Sequence, residues 1–525
     1  MHHKSFLLLA FALLCAVALA VSLVAASAQK EITVADLRDK IEGGWAGQMI
    51  GVSYGAPTEF RALAALYPEE KLQPWKPDRV NNSLGQDDLY VDMTFAKVLD
   101  EKGLDATTED FGAAFRDAKY GLWHANLAAR RALRRGVPAT LSGTPKYNAH
   151  ANDIDFQIEA DFIGMMTPGL PQAASAVALR TGRVMNYGDG ILGGVFVSCM
   201  YSAAFFENDP RKIVEAGAAC LPAKSPYGRL ISDLLAWSKQ NPGDWIKVWN
   251  LVEEKWDKDE PCPSGAMRPF NIDAKLNGAY IALGLLYGEG DVGKTVNIST
   301  RCGQDSDCNP SSAAGIVGVM LGYKRIPDEW KSGIAAIADR KFQYTDYSFR
   351  GIVESNQKRA LAMVMRAGGR LEGDKIIVRT QSPRTVNVPL WDDYGSPVER
   401  IAVDNARWSW KGNWTQGGQP GRNARPVRSS SERGAEVSIM FQGTGAIVVG
   451  SYLPNGGKAE VYLDGKLERA VDVYSDEASS KGDEAVWHAF KLKSGNHTLR
   501  LVVLGEPYPG SKGADIAIND LIVFR

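Results

Sequence analysis

Residues 311–322 read Ser311-Ser-Ala-Ala-Gly315-Ile-Val-Gly318-Val-Met-Leu-Gly322. A charge-free run of this length, built from small and aliphatic residues, is a helix whose backbone can approach its neighbours closely. A similar stretch, Ile191 to Phe206, contains Gly193-Gly194 and Ala203-Ala204. It is too short to span a bilayer and reads as a buried core helix. Upstream, Leu37, Ile41, Trp45 and Met49 step by four along one face, and Leu89, Met93, Ala96 and Leu99 mark another helix. From about residue 33 to 366 the periodicity is helical, which predicts an all-α domain and excludes an α/β sheet.

Near residue 370 the pattern changes. Short alternating runs appear at Ile376 to Arg379, Ala446 to Ser451, Ala459 to Leu463, His497 to Leu504 and Asp515 to Phe524. Turn signals such as Asp464-Gly465 and Ser494-Gly495-Asn496 separate them. Strands at this spacing predict an all-β sandwich. The expected organisation is a helical catalytic domain over 29–380, a Pro-bearing connection over 381–398, and a sandwich over 399–525.

The whole chain has 525 residues and a formal net charge of −1. There is no basic excess, so neither nucleic acid nor an anionic membrane surface is an expected partner. Residues 1–28 read as a secretory signal peptide. His2, His3 and Lys4 precede an apolar run from Phe6 to Val24, and Ala26-Ser27-Ala28 offers a small-x-small cleavage site. The mature protein is expected to be secreted or periplasmic. Beyond the leader stand Cys199, Cys220, Cys262, Cys302 and Cys308, an odd count with no zinc-like Cys/His spacing. Cys302 and Cys308 are near enough in sequence to pair.

Gly288-Glu-Gly-Asp-Val-Gly293-Lys294-Thr295 matches a phosphate-loop pattern, but the segment before it is helical in character and Glu289 and Asp291 would repel phosphate. It reads as a helix–helix turn. Two acidic doublets carry more information. Gln86-Asp87-Asp88 and Asp305-Ser306-Asp307 each open a predicted helix. Alone, each is explained by capping. Together, four converging carboxylates would repel one another unless a hard cation sat among them. Oxygen ligation without a nearby histidine suits Mg²⁺, Mn²⁺ or Ca²⁺. A third acidic segment, Asn152 to Asp161, would place Asp155 and Glu159 at i,i+4 if helical. It is either a solvated face or a partly buried acid/base pair. Asp189 reads as a helix cap, and His124 and His150 as lone structural histidines.

The pattern Gly43-Gly44-x-x-Gly47-x-x-x-Gly51-x-x-x-Gly55-Ala56-Pro57-x-Glu59 resembles the N-terminal signature of the ADP-ribosylglycohydrolases. Gln86-Asp87-Asp88 stands where that family carries Thr-Asp-Asp. Gly303-Gln-Asp305-Ser-Asp307-Cys308-Asn309 is similar to its second motif, Gly-x-Asp-x-Asp-Thr-Asn. The resemblance covers about residues 33–335. It implies an all-α fold, a centre of one or two Mg²⁺-type ions held by residues 86–88 and 305–308, and hydrolysis at C1 of a ribofuranose. Both metal-binding threonines are replaced, by Gln86 and Cys308, and the aspartate that usually follows Gly51 is Val52. These departures point away from ADP-ribose more than from hydrolysis.

The C-terminal run resembles galactose-binding-like, jelly-roll modules, in Val461 to Gly465, Gly495 to Leu499 and Asp515 to Asp520. Its Trp408, Trp410, Trp414 and Tyr452 are either sugar platforms or core aromatics. The expected function is a secreted, metal-dependent glycosidase acting on a furanose-like sugar. Glu59, Asp155 and Glu159 would move protons or orient water, and Gln86, Asp87, Asp88, Asp305, Asp307 and Cys308 would form the metal centre. The rival expectations are a true ADP-ribosyl hydrolase and a non-catalytic carbohydrate-binding protein. The expected partner is accordingly a carbohydrate or ADP-ribose-like substrate.

Overall fold

The computed structural model describes residues 29–258, 260–419 and 425–525. The signal-peptide reading of residues 1–28 lies outside them. The first long helix, Val34–Gly55, opens on Thr33, whose Oγ1 accepts from the Asp36 amide at 2.9 Å. It runs antiparallel to Cys308–Leu321. The two backbones meet along the glycines spaced by four. A Cβ on Gly47 would lie 2.1 Å from the carbonyl oxygen of Ala314, and one on Gly51 2.1 Å from that of Pro310. Only hydrogen fits at these positions. Leu37, Ile41, Trp45 and Met49 are buried, as their spacing predicts.

Helices Asp189–Ala204 and Ala274–Gly288 are apolar all round and sit in the middle of the domain, where every face meets protein. The phosphate-loop look-alike is the turn after Ala274–Gly288. There Asp291 Oδ1 accepts from the Lys294 amide at 2.8 Å and starts the next helix, Val292–Arg301. The protein's own carboxylate thus occupies that helix N-terminus.

A three-stranded antiparallel sheet adjoins the helices, with Lys375–Arg379 between Gln29–Thr33 and Arg370–Glu372. Regular strands resume at Pro397–Ala402. One sheet of the β-region orders Lys466–Asp472, Gly457–Leu463, Gly495–Pro507, Glu436–Gly443 and Ser409–Lys411. The other orders Lys481–Ala489, Gly445–Tyr452, Ile516–Phe524, Arg425–Ser430 and Thr415–Gln419, with Pro397–Ala402 also on Ile516–Phe524. Asp464 and Gly465 both adopt positive φ, 51° and 78°, the geometry of a tight two-residue hairpin turn. In Glu436–Gly443 the inward Val437, Ile439 and Phe441 alternate with less buried neighbours.

Of the two readings of the sandwich aromatics, core packing fits three of the four. Trp408 and Trp414 are buried, and their indole N–H groups donate to the carbonyls of Ala402 (2.9 Å) and Glu436 (3.1 Å). Tyr452 is covered by the Arg131 guanidinium, 3.6 Å from its ring centre. That contact belongs to a charged junction between the two regions. Arg130 pairs with Glu477 at 2.6 Å, and Arg135 with Asp472 at 2.7 Å.

Cys199 and Cys220 form a disulfide, while Cys262, Cys302 and Cys308 are free and buried. The 302–308 pairing therefore does not occur. Among the described residues no helix is long and apolar enough to cross a membrane.

Candidate active site and metal centre

The antiparallel glycine seam decides where the chemistry lies. It brings the end of Val34–Gly55 beside the start of Cys308–Leu321. Thr58 Oγ1 then meets Ser306 Oγ at 2.7 Å, and the Phe60 amide donates to the Gln304 carbonyl at 3.0 Å. Glu59 and Asp305 consequently line one cavity of about 510 Å³. Gln86 and Asp87 line it too, from the head of Asp87–Lys102. Asp305 precedes its helix, which begins at Cys308 after Asp307.

The two doublets are joined through Cys308, which itself lines the cavity. Cys308 donates its thiol hydrogen to Asp88 Oδ2 at 3.3 Å, and ligand atoms of Asp305, Asp307 and Cys308 lie within 4.8 Å of one another. Asp88 and Asp307 are almost wholly buried. Oxygens Asp88 Oδ1, Asp305 Oδ1 and Asp307 Oδ1 make no hydrogen bond. Burial, and then the charge of Glu59, push the Asp305 carboxyl up to about 8. Burial followed by neighbouring carboxylates moves Asp88 and Asp307 well above the ordinary range. Oxygen atoms held together, dry and unpartnered, fit a hard divalent cation, whose charge would reverse these shifts. Burial also raises the Cys308 thiol, keeping it protonated and able to donate to Asp88.

Asp155 and Glu159 do not share one helix. Asp155–Ile158 is a single turn, Glu159 follows it, and a new turn starts at Asp161–Met165. Tertiary hydrogen bonds replace the helical ones: Asn186 Oδ1 accepts from the Phe156 amide at 3.0 Å, while its Nδ2 donates to the carbonyl of Asp153 at 2.8 Å. The solvated-face reading is excluded, because both carboxyls are buried. Asp155 lines the cavity and accepts from the amides of Asn126 (2.9 Å) and Ala125 (3.2 Å) at the start of the His124–Arg134 helix. Burial outweighs those bonds and lifts its carboxyl to about 7. Glu159 is sealed away and accepts from the Asn126 side chain, so it stands behind Asp155 and does not line the cavity. Its carboxyl is driven well up by burial and by Asp155.

Several positions in and around the cavity carried no sequence signal. Trp123, half exposed, and Phe60 and Phe270 supply aromatic walls; the last two rings are 5.0 Å apart. Gly482 and Asp483 of the sandwich close another side. Asp161 stands near Asp88 and accepts from Ser312 Oγ at 3.3 Å. Asp189 is the first residue of its helix, after Gly188 at the cap position, where a carboxylate is favoured by the helix dipole. His124 and His150 are not lone: their ring centres are 5.7 Å apart, and both face Asp153.

A family model described as ADP-ribosylglycohydrolase matches residues 33–359. A solved "ADP-ribosylglycohydrolase-related protein complex" is 14% identical, covering 63% of this chain and 99% of that one with a TM-score of 0.42. Two curated proteins of Flavonifractor plautii are similar over short stretches. An "A type blood alpha-D-galactosamine galactosaminidase" is 29% identical over 104 residues, 20% of this chain and 9% of that protein. An "A type blood N-acetyl-alpha-D-galactosamine deacetylase" is 38% identical over 76 residues, 14% of this chain and 10% of that protein. The matches thus span about a tenth of each curated relative.

Proposed function

Because the chain belongs to the ADP-ribosylglycohydrolase family, and is on that ground a glycosidase-like hydrolase, we propose that it is an exported, metal-dependent glycosidase. Its substrate is a neutral or lightly charged furanose-like glycoside in a glycan or conjugate, cleaved at an N- or O-glycosidic bond. The observation that carries this reading is the cavity lining. Glu59, Asp87, Asp155, Asp305 and Asp483 are acidic, aromatic rings flank them, and none of the described lining residues is Lys or Arg. Such a surface offers no basic side chain to a pyrophosphate and suits sugar hydroxyls and sugar faces.

Asp87, Asp88, Asp305 and Asp307 would hold the divalent ion, most simply Mg²⁺. When bound it would orient sugar hydroxyls and acidify water. Gln86 supplies an amide oxygen at the cavity edge. Cys308 keeps its proton and orients Asp88. Asp155, its carboxyl lifted to about 7, keeps a substantial protonated fraction near neutrality and gives its proton to the leaving group, fixed by two backbone N–H groups. Glu59, at the exposed end of the cavity, accepts a proton from the attacking water. Glu159 holds Asn126 and through it the position of Asp155.

The disulfide supports export, because such bonds persist in oxidising compartments. The sandwich supports a glycan substrate as a wall of the cavity. The domain limits 29–380, 381–398 and 399–525 remain part of this proposal.

The test is a competition between ADP-ribosylated protein and a panel of aryl and oligosaccharide furanosides, with Mg²⁺, Mn²⁺ and Ca²⁺ in turn. Turnover of a furanoside is expected. Efficient ADP-ribose release with no glycoside cleaved would overturn the substrate class, and no hydrolysis of anything would favour a binding protein.

A further inference from the structure

We propose that His124, His150, Asp153 and Cys262 hold a structural transition-metal ion of the zinc class, separate from the carboxylate centre of Asp87, Asp88, Asp305 and Asp307. One ligand atom each from His124, His150 and Asp153 lies within 4.8 Å of the others, and the same holds for Asp153, Glu260 and Cys262. Asp153 is the common member. His150 Nδ1 is 2.8 Å and His124 Nδ1 3.7 Å from Asp153 Oδ2. These separations bracket the edge of about 3.3–3.4 Å in a tetrahedron with bonds near 2.0–2.1 Å.

The second observation is what these atoms lack. His124 Nδ1, Asp153 Oδ1 and Glu260 Oε2 make no hydrogen bond. Asp153 is 0% and Glu260 4% exposed. Asp153 and Glu484 both face His150, and Glu260 stands with Asp153 and Cys262, all in a dry place. The nearby Lys275 is committed to Asp273, with which it forms an ion pair. Buried charge of this kind is tolerated when paired or metal-bound.

The donor chemistry selects the ion. Two imidazoles, a carboxylate and a thiol suit zinc and disfavour Mg²⁺. Behind His150, its Nε2 faces Glu484 Oε2 at 3.4 Å. A carboxylate on the far nitrogen of a ligating histidine fixes its tautomer and ring plane. Glu484 comes from the sandwich strand Lys481–Ala489, so the site would also tie the two regions together. His124 itself has φ 46°, a left-handed backbone for a residue with a Cβ. Conformations of this kind persist where the surroundings impose them.

The consequence lies in the cavity. His124 opens the helix whose first amides hold Asp155, and Asp153 stands two residues before Asp155. An ion here would brace Asp155 from both sides without touching substrate. All four ligands would be positioning residues.

The test uses the full chain and reads metal content. After passage over a chelating resin, elemental analysis is expected to find about one zinc per chain. That zinc should persist in Asp307→Asn, which empties the carboxylate centre, and be lost in His124→Ala and Asp153→Asn. Cobalt exchanged into Asp307→Asn should give the visible absorption of a tetrahedral site and a near-ultraviolet sulfur band that Cys262→Ser removes. Stripping zinc from Asp307→Asn should lower its melting temperature. Absence of zinc from the parent chain, or a cobalt spectrum that His124→Ala leaves unchanged while circular dichroism shows it folded, would overturn the site in favour of a plain His150–Asp153–Glu484 ion pair.

Discussion

Cys308 donates its thiol hydrogen to Asp88 across 3.3 Å, and this single contact joins the two acidic doublets, which are far apart in sequence. The sulfur occupies the position where relatives of the resembled motif carry a threonine hydroxyl. A protonated thiol can orient a carboxylate but is a poor partner for a hard cation. Asp307→Ala should abolish turnover and leave circular dichroism unchanged. Cys308→Thr should tighten Mg²⁺ binding about tenfold by calorimetry, the scale on which groups supporting metal ligands act. A chelator that leaves the melting temperature of the parent chain untouched would count against the centre.

The helix seam is the most constrained part of the fold. Gly51→Ala would set a methyl 2.1 Å from the Pro310 carbonyl oxygen, and neither backbone can yield alone. We expect a loss of about 1–3 kcal/mol or more in urea unfolding. Gly351→Ala is the control. Its methyl would come no nearer than 3.5 Å to anything, in the first turn of a helix, and it should be neutral or mildly stabilising.

Trp123 presents half of its surface at the cavity mouth, with the Lys481 ammonium 4.1 Å from its ring centre. If it stacks on a sugar, Trp123→Ala should raise KM roughly tenfold with kcat nearly unchanged, the pattern of lost uniform binding. An unchanged KM would remove the ring from the binding surface.

Glu253 offers a test of pH dependence away from both candidate metal sites. Burial lifts its carboxyl to about 8, although Tyr280 donates to it. The folded state therefore keeps a proton that the unfolded chain releases near the ordinary glutamate value of about 4.3. The stabilisation is complete below that value and is lost as pH rises through about 8. Glu253→Gln, neutral throughout, should gain on the parent chain by roughly 1–2 kcal/mol between pH 5 and 9, followed by melting temperature. A gain that does not vary with pH would contradict the assignment.

The Cys199–Cys220 bond closes a loop between residues 21 apart in sequence. Replacing both with serine should cost about 3 kcal/mol on the loop-entropy argument. Under denaturing, non-reducing conditions an alkylating agent should label Cys262, Cys302 and Cys308 and spare Cys199 and Cys220. Labelling of Cys199 and Cys220 would show that the bond is absent.

Much was determined by the sequence alone. Periodicity of four and the small-residue stretches mark the helices, because burial on all faces and close backbone approach each demand particular side chains at particular steps. Alternation and turn residues mark the β-region for the same kind of local reason. Asp87, Asp88, Asp305 and Asp307 could be singled out because a doublet at a helix head is a local pattern. Tertiary structure decided the rest. The break between Asp155 and Glu159 comes from Asn186, about thirty residues away, whose hydrogen bonds outbid the helix. The pairing of Cys199 with Cys220, the cavity wall of Trp123, Phe270 and Asp483, and the meetings of His124 and His150 with Asp153 and of Glu260 and Cys262 with Asp153 arise from packing between distant elements. No spacing along the chain encodes such encounters, because each is set by how whole helices and sheets dock.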